Sequence, residues 1–164
     1  MKRDRDNIVK VADLQDLPEL VAYLSCPDID HSFKKPLSER EIAIAERVKH
    51  YYEHGFWVFA RIAGTIYACI AAVPSTEEQK VFLSTMAVRN CKRGKKLGND
   101  VYEKAIKLAT ERYQAKYVIV DSWEGNKEVT LLLTNRGYVP IASYYDKSKR
   151  PPGIKTVEYQ LELP

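Results

Sequence analysis

The feature that most constrains this chain is an unbroken run of four segments between Lys80 and Ser122. Lys80–Val88 reads as a strand, Asn90–Lys96 is a basic loop, and a helix is predicted from about Gly98 to Tyr113. Tyr117–Ser122 is a compact β-branched run, the pattern of a buried strand. Val101, Ala105 and Leu108 line one helical stripe, which Tyr102, Ile106 and Ala109 widen. A strand, a helix and a strand in such close succession close as a right-handed crossover between parallel strands.

The flanking sequence extends this unit into a mixed sheet. Ile8–Ala12 reads as a first strand, and Asp16 is placed to cap a helix with Pro18 in its first turn. Ser38 and Glu41 form a capping-box pattern ahead of Ile44, Val48 and Tyr51, with Gly55 as the stop. Phe56–Ile62 and Thr65–Val73 read as a hairpin around Ala63–Gly64. Asn126–Arg136 is a short helix stopped by Gly137, and Tyr138–Tyr145 and Ile154–Leu163 are the last strands. The expectation is a single α/β domain over 1–164, ordered β-α-α-β-β-β-α-β-α-β-β.

Composition excludes some classes. Apolar residues make up 45% and charged residues 29%, a soluble globular balance, and Ile66–Val73 is too short an apolar run to span a bilayer. Met1–Lys10 is charged and lacks the apolar stretch of a signal peptide, so a cytoplasmic location is expected. Cys26, Cys69 and Cys91 fit neither a disulfide framework nor a zinc knuckle. His50 and His54 share a helical face, but no third ligand accompanies them and no metal is expected.

The chemistry is concentrated in Val88-Arg89-Asn90-Cys91-Lys92-Arg93-Gly94-Lys95-Lys96-Leu97-Gly98. A loop between a strand and a helix start turns backbone N–H groups toward the positive end of the helix dipole. Gly94 and Gly98 let backbone approach an anion closely, and Lys92, Arg93, Lys95 and Lys96 add charge. The physical reading is a phosphate or pyrophosphate cradle. A basic surface turn or a nucleic-acid patch, in keeping with the net charge of +4, is the alternative on the loop alone.

At these positions the chain resembles the Gcn5-related N-acetyltransferases. That family has a strand ending in Val, a loop of the type Arg-Gly-x-Gly-Ile-Gly, then a helix, and Val88, Arg93, Gly94, Leu97 and Gly98 stand at matching spacing. Asn126, Val129, Leu132, Gly137 and Tyr138 match a second family signature. The resemblance implies a mixed, mostly antiparallel sheet flanked by helices, in which the parallel fourth and fifth strands splay to admit the pantetheine arm of acetyl-CoA. It implies that backbone groups of Met86, Ala87 and Val88 line that arm like an added strand. Backbone N–H groups across Arg93, Gly94, Lys95, Lys96, Leu97 and Gly98 would hold the pyrophosphate, and Asn126 would contact the cofactor. Asn126 is equally a good helix N-cap.

Some positions depart from the pattern. Asn90 stands where a proline is frequent. Lys96 replaces a loop glycine, and a positive φ there would carry about 1 kcal/mol of strain or more. Leu133 stands where many members carry a tyrosine that protonates the departing thiolate, which leaves Tyr138, Tyr144, Tyr145 or water to supply that proton. The implied activity is direct attack of a primary amine on the thioester, with a base to deprotonate the amine. Asp121, five residues before Asn126, occupies a position where some members carry a base Glu; its other reading is a turn-capping Asp at a strand end. Glu124 is the second candidate. Cys91 has no visible activating base and is taken as incidental.

The acceptor side, which the resemblance assigns to the first two helices and last hairpin, holds Phe33, Tyr51, Tyr52, Trp57, Tyr144 and Tyr145. Small amines, peptide N-termini, lysines and aminoacyl-tRNA all remain acceptors to consider, the last because of Lys147, Lys149 and Arg150. No membrane partner is expected, no nucleic acid other than tRNA is favoured, and a homodimer stays open. The rival reading is a non-catalytic acyl-CoA-binding domain, for which Leu133 is the best support.

Overall fold

A computed structural model describes residues 9–26, 37–77, 79–89, 96–148 and 150–164, and of 37–41 the backbone alone. β1 (Val9–Val11) leads through a 3-10 turn (Leu14–Asp16) into α1 (Leu17–Leu24), followed by α2 (Leu37–His54). Then come β2 (Phe56–Ile62), β3 (Thr65–Pro74), β4 (Lys80–Val88), α3 (Leu97–Tyr113) and β5 (Tyr117–Trp123). α4 (Lys127–Asn135), β6 (Val139–Tyr144) and β7 (Thr156–Glu162) complete the order. The strands hydrogen-bond in the order β1-β2-β3-β4-β5-β7-β6. β4 and β5 are parallel, and the pairs β1–β2, β2–β3, β5–β7 and β6–β7 are antiparallel. This is the mixed, mostly antiparallel sheet that the resemblance implies. By its contacts the chain divides into two compact units.

The first unit comprises Met1–Val73 and Thr85–Leu108. Its β2 is apolar from Phe56 to Ala60, and all five residues are buried, as an interior strand requires. Leu20, Tyr23 and Leu24 of α1 and Ile44 and Val48 of α2 join Trp57, Phe59, Ile66 and Cys69 in one core. Trp57 is 0% exposed, and its indole donates to the Val48 carbonyl at 3.0 Å, so the largest buried side chain carries no unmet donor. The hairpin turns where expected: Ala63 and Gly64 have φ of 47° and 81°, and Ile62 pairs with Thr65. Two positive φ values in a two-residue loop match the twist of the flanking strands.

One expectation fails here. Asp16 makes no side-chain cap on α1. Asp13 caps the 3-10 turn instead, accepting from the Gln15 N–H at 2.9 Å, while Asp16 accepts from the Asp13 N–H at 3.0 Å. The Asp16 carboxylate then reaches Arg61 of β2 at 3.2 Å, and Glu19 binds the same guanidinium. A cation brought close by tertiary folding outcompetes a local cap. The Ser38–Glu41 capping box lies outside the described side chains.

The second unit comprises Pro74–Ser84 and Ala109–Pro164. β5 pairs with β7 over its whole length, from Tyr117↔Glu162 to Trp123↔Thr156. It therefore runs past the Ser122 end read from the sequence, and Asp121 lies inside the strand rather than capping a turn. The parallel ladder with β4 covers Lys80↔Tyr117, Val81↔Val118 and Phe82↔Ile119, and both strands run on beyond it. α4 is tied to β7 by a 3.1 Å hydrogen bond between Thr130 Oγ1 and Tyr159 Oη. β6, last in the sheet order, carries Pro140 and a register shift beside it, two devices that blunt an edge strand.

Candidate active site

The cofactor-side candidates of the first unit sit where β4 runs out and α3 begins. Arg89 donates its backbone N–H to the Tyr67 carbonyl at 2.9 Å, so the end of β4 still hydrogen-bonds to β3. Ala87 shares that side: the Tyr23 hydroxyl lies 3.2 Å from its carbonyl and 3.0 Å from that of Tyr67. By strand alternation the backbone groups of Met86 and Val88 point away from β3. The three residues therefore divide. Ala87 has its carbonyl engaged within the fold, and Met86 and Val88 keep theirs on the other edge.

Just upstream, Thr85 has a φ of 53°. That conformation is a genuine outlier for a β-branched residue and costs about 1–3 kcal/mol. It breaks the pleat of β4 immediately before Met86. The Cys69 thiol approaches the Thr85 carbonyl at 3.8 Å from within the core, and burial pushes that thiol well above the ordinary range. Nothing in the sequence marked Thr85, because backbone strain leaves no compositional signal.

Arg89 braces the same corner. Its Nε donates to the Ile66 carbonyl at 3.1 Å, and its guanidinium lies 5.2 Å from the Tyr23 ring centroid and 5.9 Å from that of Tyr67. The charge is held by rings and carbonyls along the strand end.

Arg93, Gly94 and Lys95 lie outside the described residues. Lys96, Leu97 and Gly98 do not. Lys96 has a φ of 63°, so the lysine occupies the left-handed conformation that a glycine there would adopt freely. Its carbonyl accepts the first helical hydrogen bond, from the Asp100 N–H at 2.9 Å. The N–H groups of Leu97 and Gly98 stand in the first turn, ahead of that bond, at the positive end of the helix. Leu97 is buried and anchors the turn. A Cβ at Gly98 would meet Met86 Cε and Val88 Cγ2, each at 3.0 Å. That glycine therefore packs α3 tightly onto the end of β4, and it brings Met86, Val88 and Gly98 together.

The other candidates belong to the second unit. Asn126 caps α4, its side-chain oxygen accepting from the Val129 N–H at 3.4 Å. Its amide nitrogen donates to Ser122 Oγ at 3.1 Å. A side-chain amide has two donor hydrogens and two acceptor lone pairs, so capacity remains for a ligand. Leu133 is buried at 4% exposure inside α4. Tyr138 is buried at 3%, just after the helix stop, and its backbone N–H bonds the Leu133 carbonyl at 3.0 Å. Glu124 is exposed in the turn after β5, its N–H bonded to the Lys155 carbonyl at 2.9 Å.

Asp121 is half-buried and within reach of Arg150 Nη2 at 3.4 Å. The guanidinium also lies 5.9 Å from the Trp123 ring centroid. Directly across the β5–β7 ladder is Glu158, which accepts from the Tyr144 hydroxyl at 2.8 Å. Burial pushes the Tyr144 phenol up to about 12, and the charges of Glu158, Asp121 and Asp146 push the same way. Such a phenol grips its proton, which makes it a poor donor to a departing thiolate. Of the candidates for base and acid, Asp121 is thus gathered with Glu158, Tyr144 and Arg150, whereas Glu124 stands exposed in its turn and Tyr138 is buried after the helix stop. Sequence reasoning missed Glu158 and read Arg150 only as loop charge, because their neighbourhood depends on the fold.

The residues described fit a pyrophosphate-bearing thioester cofactor. A strand edge formed by Met86 and Val88 leads to a helix start held close by Gly98, with the cation Lys96 at its cap position. Among the described residues no cluster of His, Cys, Asp or Glu could hold a metal, and no helix is long and apolar enough to cross a membrane.

The fold is shared with known proteins. No curated protein matches the chain in sequence. Among solved structures, aminoglycoside 6'-N-acetyltransferase complexed with coenzyme A aligns at a TM-score of 0.73 and 12% identity, covering 96% of this chain and 98% of that one. The ribosomal-protein-S18-alanine N-acetyltransferase of Escherichia coli aligns at 0.70 and 15%, covering 94% and 92%. The ribosomal-protein-alanine N-acetyltransferase of Brucella melitensis aligns at 0.65 and 20%, covering 95% and 99%. Residues 11–138 match the model of the acetyltransferase (GNAT) family, and the chain belongs to that family of acetyl-CoA-dependent N-acetyltransferases.

Proposed function

We propose that this protein transfers the acetyl group of acetyl-CoA to a primary amine by direct attack, with Asp121 as the base. The observation that carries the reading is the junction of β4 and α3, where a left-handed Thr85 precedes a strand edge that runs into a helix start. Bound acetyl-CoA supplies the acetyl group as an activated thioester. Met86 and Val88 would hold its pantetheine arm through backbone groups, in the manner of an added strand. The N–H groups of Leu97 and Gly98, with Lys96 and the loop residues Arg93, Gly94 and Lys95, would hold its pyrophosphate. A backbone N–H near Met86–Val88 would polarise the thioester oxygen. Asn126 would add a polar contact while capping α4.

A lysine-type amine has a reference pKa of about 10.4, so it arrives mostly protonated at neutral pH and needs a base. Asp121 would take that proton directly or through water, with Arg150 fixing its carboxylate. Leu133 offers no proton to the leaving thiolate, and the sealed Tyr138 and the proton-gripping Tyr144 are poor replacements, which leaves Tyr145 or water for that role. The buried Leu133 also favours a second reading, a non-catalytic acyl-CoA-binding domain.

Calorimetric titration of acetyl-CoA, paired with thiol-release assays on wild type and Asp121→Asn, separates the two. Saturable binding with amine-dependent thiol release, lost by at least about 100-fold in Asp121→Asn, supports transfer with this base. Binding without turnover for any amine favours the non-catalytic reading, and undiminished turnover in the variant removes Asp121 from the role.

A further inference from the structure

The face of β5 and β7 that carries Asp121 holds a second carboxylate, Glu158, without an ion pair among the described residues. Asp121 and Glu158 are opposite each other in the antiparallel register, which puts their Cβ atoms about 5 Å apart. Like charges so placed repel. Arg150 answers Asp121. Glu158 receives the Tyr144 hydroxyl, and among the described residues no cation pairs with it. The nearby cation Lys155 is turned over the Tyr145 ring, 5.3 Å from its centroid.

A second observation lies two residues along β7. Thr156 shares the face of Glu158 by strand alternation, and its cross-strand neighbours are Tyr144 on one side and Trp123 on the other. It is 0% exposed, and its hydroxyl has no hydrogen-bond partner among the described residues. A buried hydroxyl in that state is destabilising and calls for a reason. Glu158, the Thr156 oxygen and the lone pairs of the Tyr144 oxygen are three acceptors, and an ammonium has three donors.

We propose that Glu158, with Thr156 and Tyr144, is a subsite for an alkylammonium group of the acceptor, so that preferred acceptors carry a positive charge besides the amine that is acetylated. The inference rests on the reading of Asp121 as the base for the reacting amine. The two carboxylates then divide the work: one faces the reacting nitrogen and its cross-strand neighbour holds the second nitrogen. Their closeness suits a short diamine. An acceptor with a neutral or anionic substituent would leave Glu158 unanswered.

The test compares 1,4-diaminobutane with butylamine. Calorimetry without acetyl-CoA measures the binding of each amine to wild type, Glu158→Gln and Thr156→Val, and thiol release measures kcat/KM for each with acetyl-CoA. The expected result is a diamine advantage of about tenfold or more in wild type that collapses toward unity in Glu158→Gln, since hydrogen bonds to charged groups are of that strength. Thr156→Val, which removes an unpartnered hydroxyl, should hold or raise folding stability while weakening diamine binding. Equal affinity for the two amines in wild type overturns the proposal, as does an advantage that survives Glu158→Gln. Selective diamine binding without acetylation would leave the subsite standing and defeat the transfer reading. Acetylation of both amines with equal kcat/KM and equal affinity would do the reverse.

Discussion

Lys96 holds a conformation that its side chain does not favour, and relieving it should stabilise the protein. At a φ of 63° an L-residue is disfavoured by about 1–2 kcal/mol, a cost that glycine avoids. Glycine also widens the unfolded ensemble, which takes back about 0.5–1 kcal/mol. The net for Lys96→Gly is a gain of about 0.5–1 kcal/mol. Lys96→Ala removes the same charge but keeps the strain, so it isolates the backbone effect. The glycine variant should exceed the alanine variant by about 1 kcal/mol, which for a domain of this size is about 2–4 °C in Tm. Thermal melts followed by far-UV circular dichroism, with urea denaturation as a second measure, read the difference. Both variants lose the same cation beside the helix start, so acetyl-CoA affinity should fall equally in the two, and less at high salt. If the two variants melt within about 1 °C of each other, the strain argument is wrong.

Two further outcomes follow from the same geometry. Gly55→Ala would place a Cβ 1.9 Å from the Ala72 carbonyl oxygen, against backbone on a buried strand. That clash should cost about 3 kcal/mol or more in urea denaturation, and a loss under about 1 kcal/mol would mean that the α2–β2 junction relaxes freely. Tyr144 makes stability fall at high pH. Its folded value, raised to about 12, lies above the ordinary 10.0, so the folded state holds the proton more tightly than the unfolded chain. The contribution is whole below about pH 10 and is lost as pH rises toward about 12. Tyr144→Phe should flatten that part of the stability curve, and an unchanged slope would refute the assignment.

Much of the fold was legible because it is written in local chemistry. The Ala63–Gly64 turn, the strand Phe56–Ile62 and the Asn126 cap each depend on residues within a few positions of one another, and each is found where the sequence put it. The strain at Lys96 was also conditionally readable, as lysine at a glycine position. What escaped was decided by register and distance. Asp16 looked like a helix cap until Arg61 came within 3.2 Å of it. Glu158 is one of several charged residues near the end of the chain, and Asp121 reads as the end of a strand. Only the β5–β7 pairing sets the two opposite each other, and only the fold brings Arg150 and Tyr144 to them.

The two tryptophans have a consequence for observing this protein in solution. Trp57 is sealed in the first unit with its indole bonded to Val48, and Trp123 stands 43% exposed in the second, beside Asp121 and Arg150. One is a dry chromophore shielded from water-soluble quenchers, and the other is wet and open to them. Each unit therefore carries its own optical reporter, and the two emissions can be resolved by quenching without adding a label.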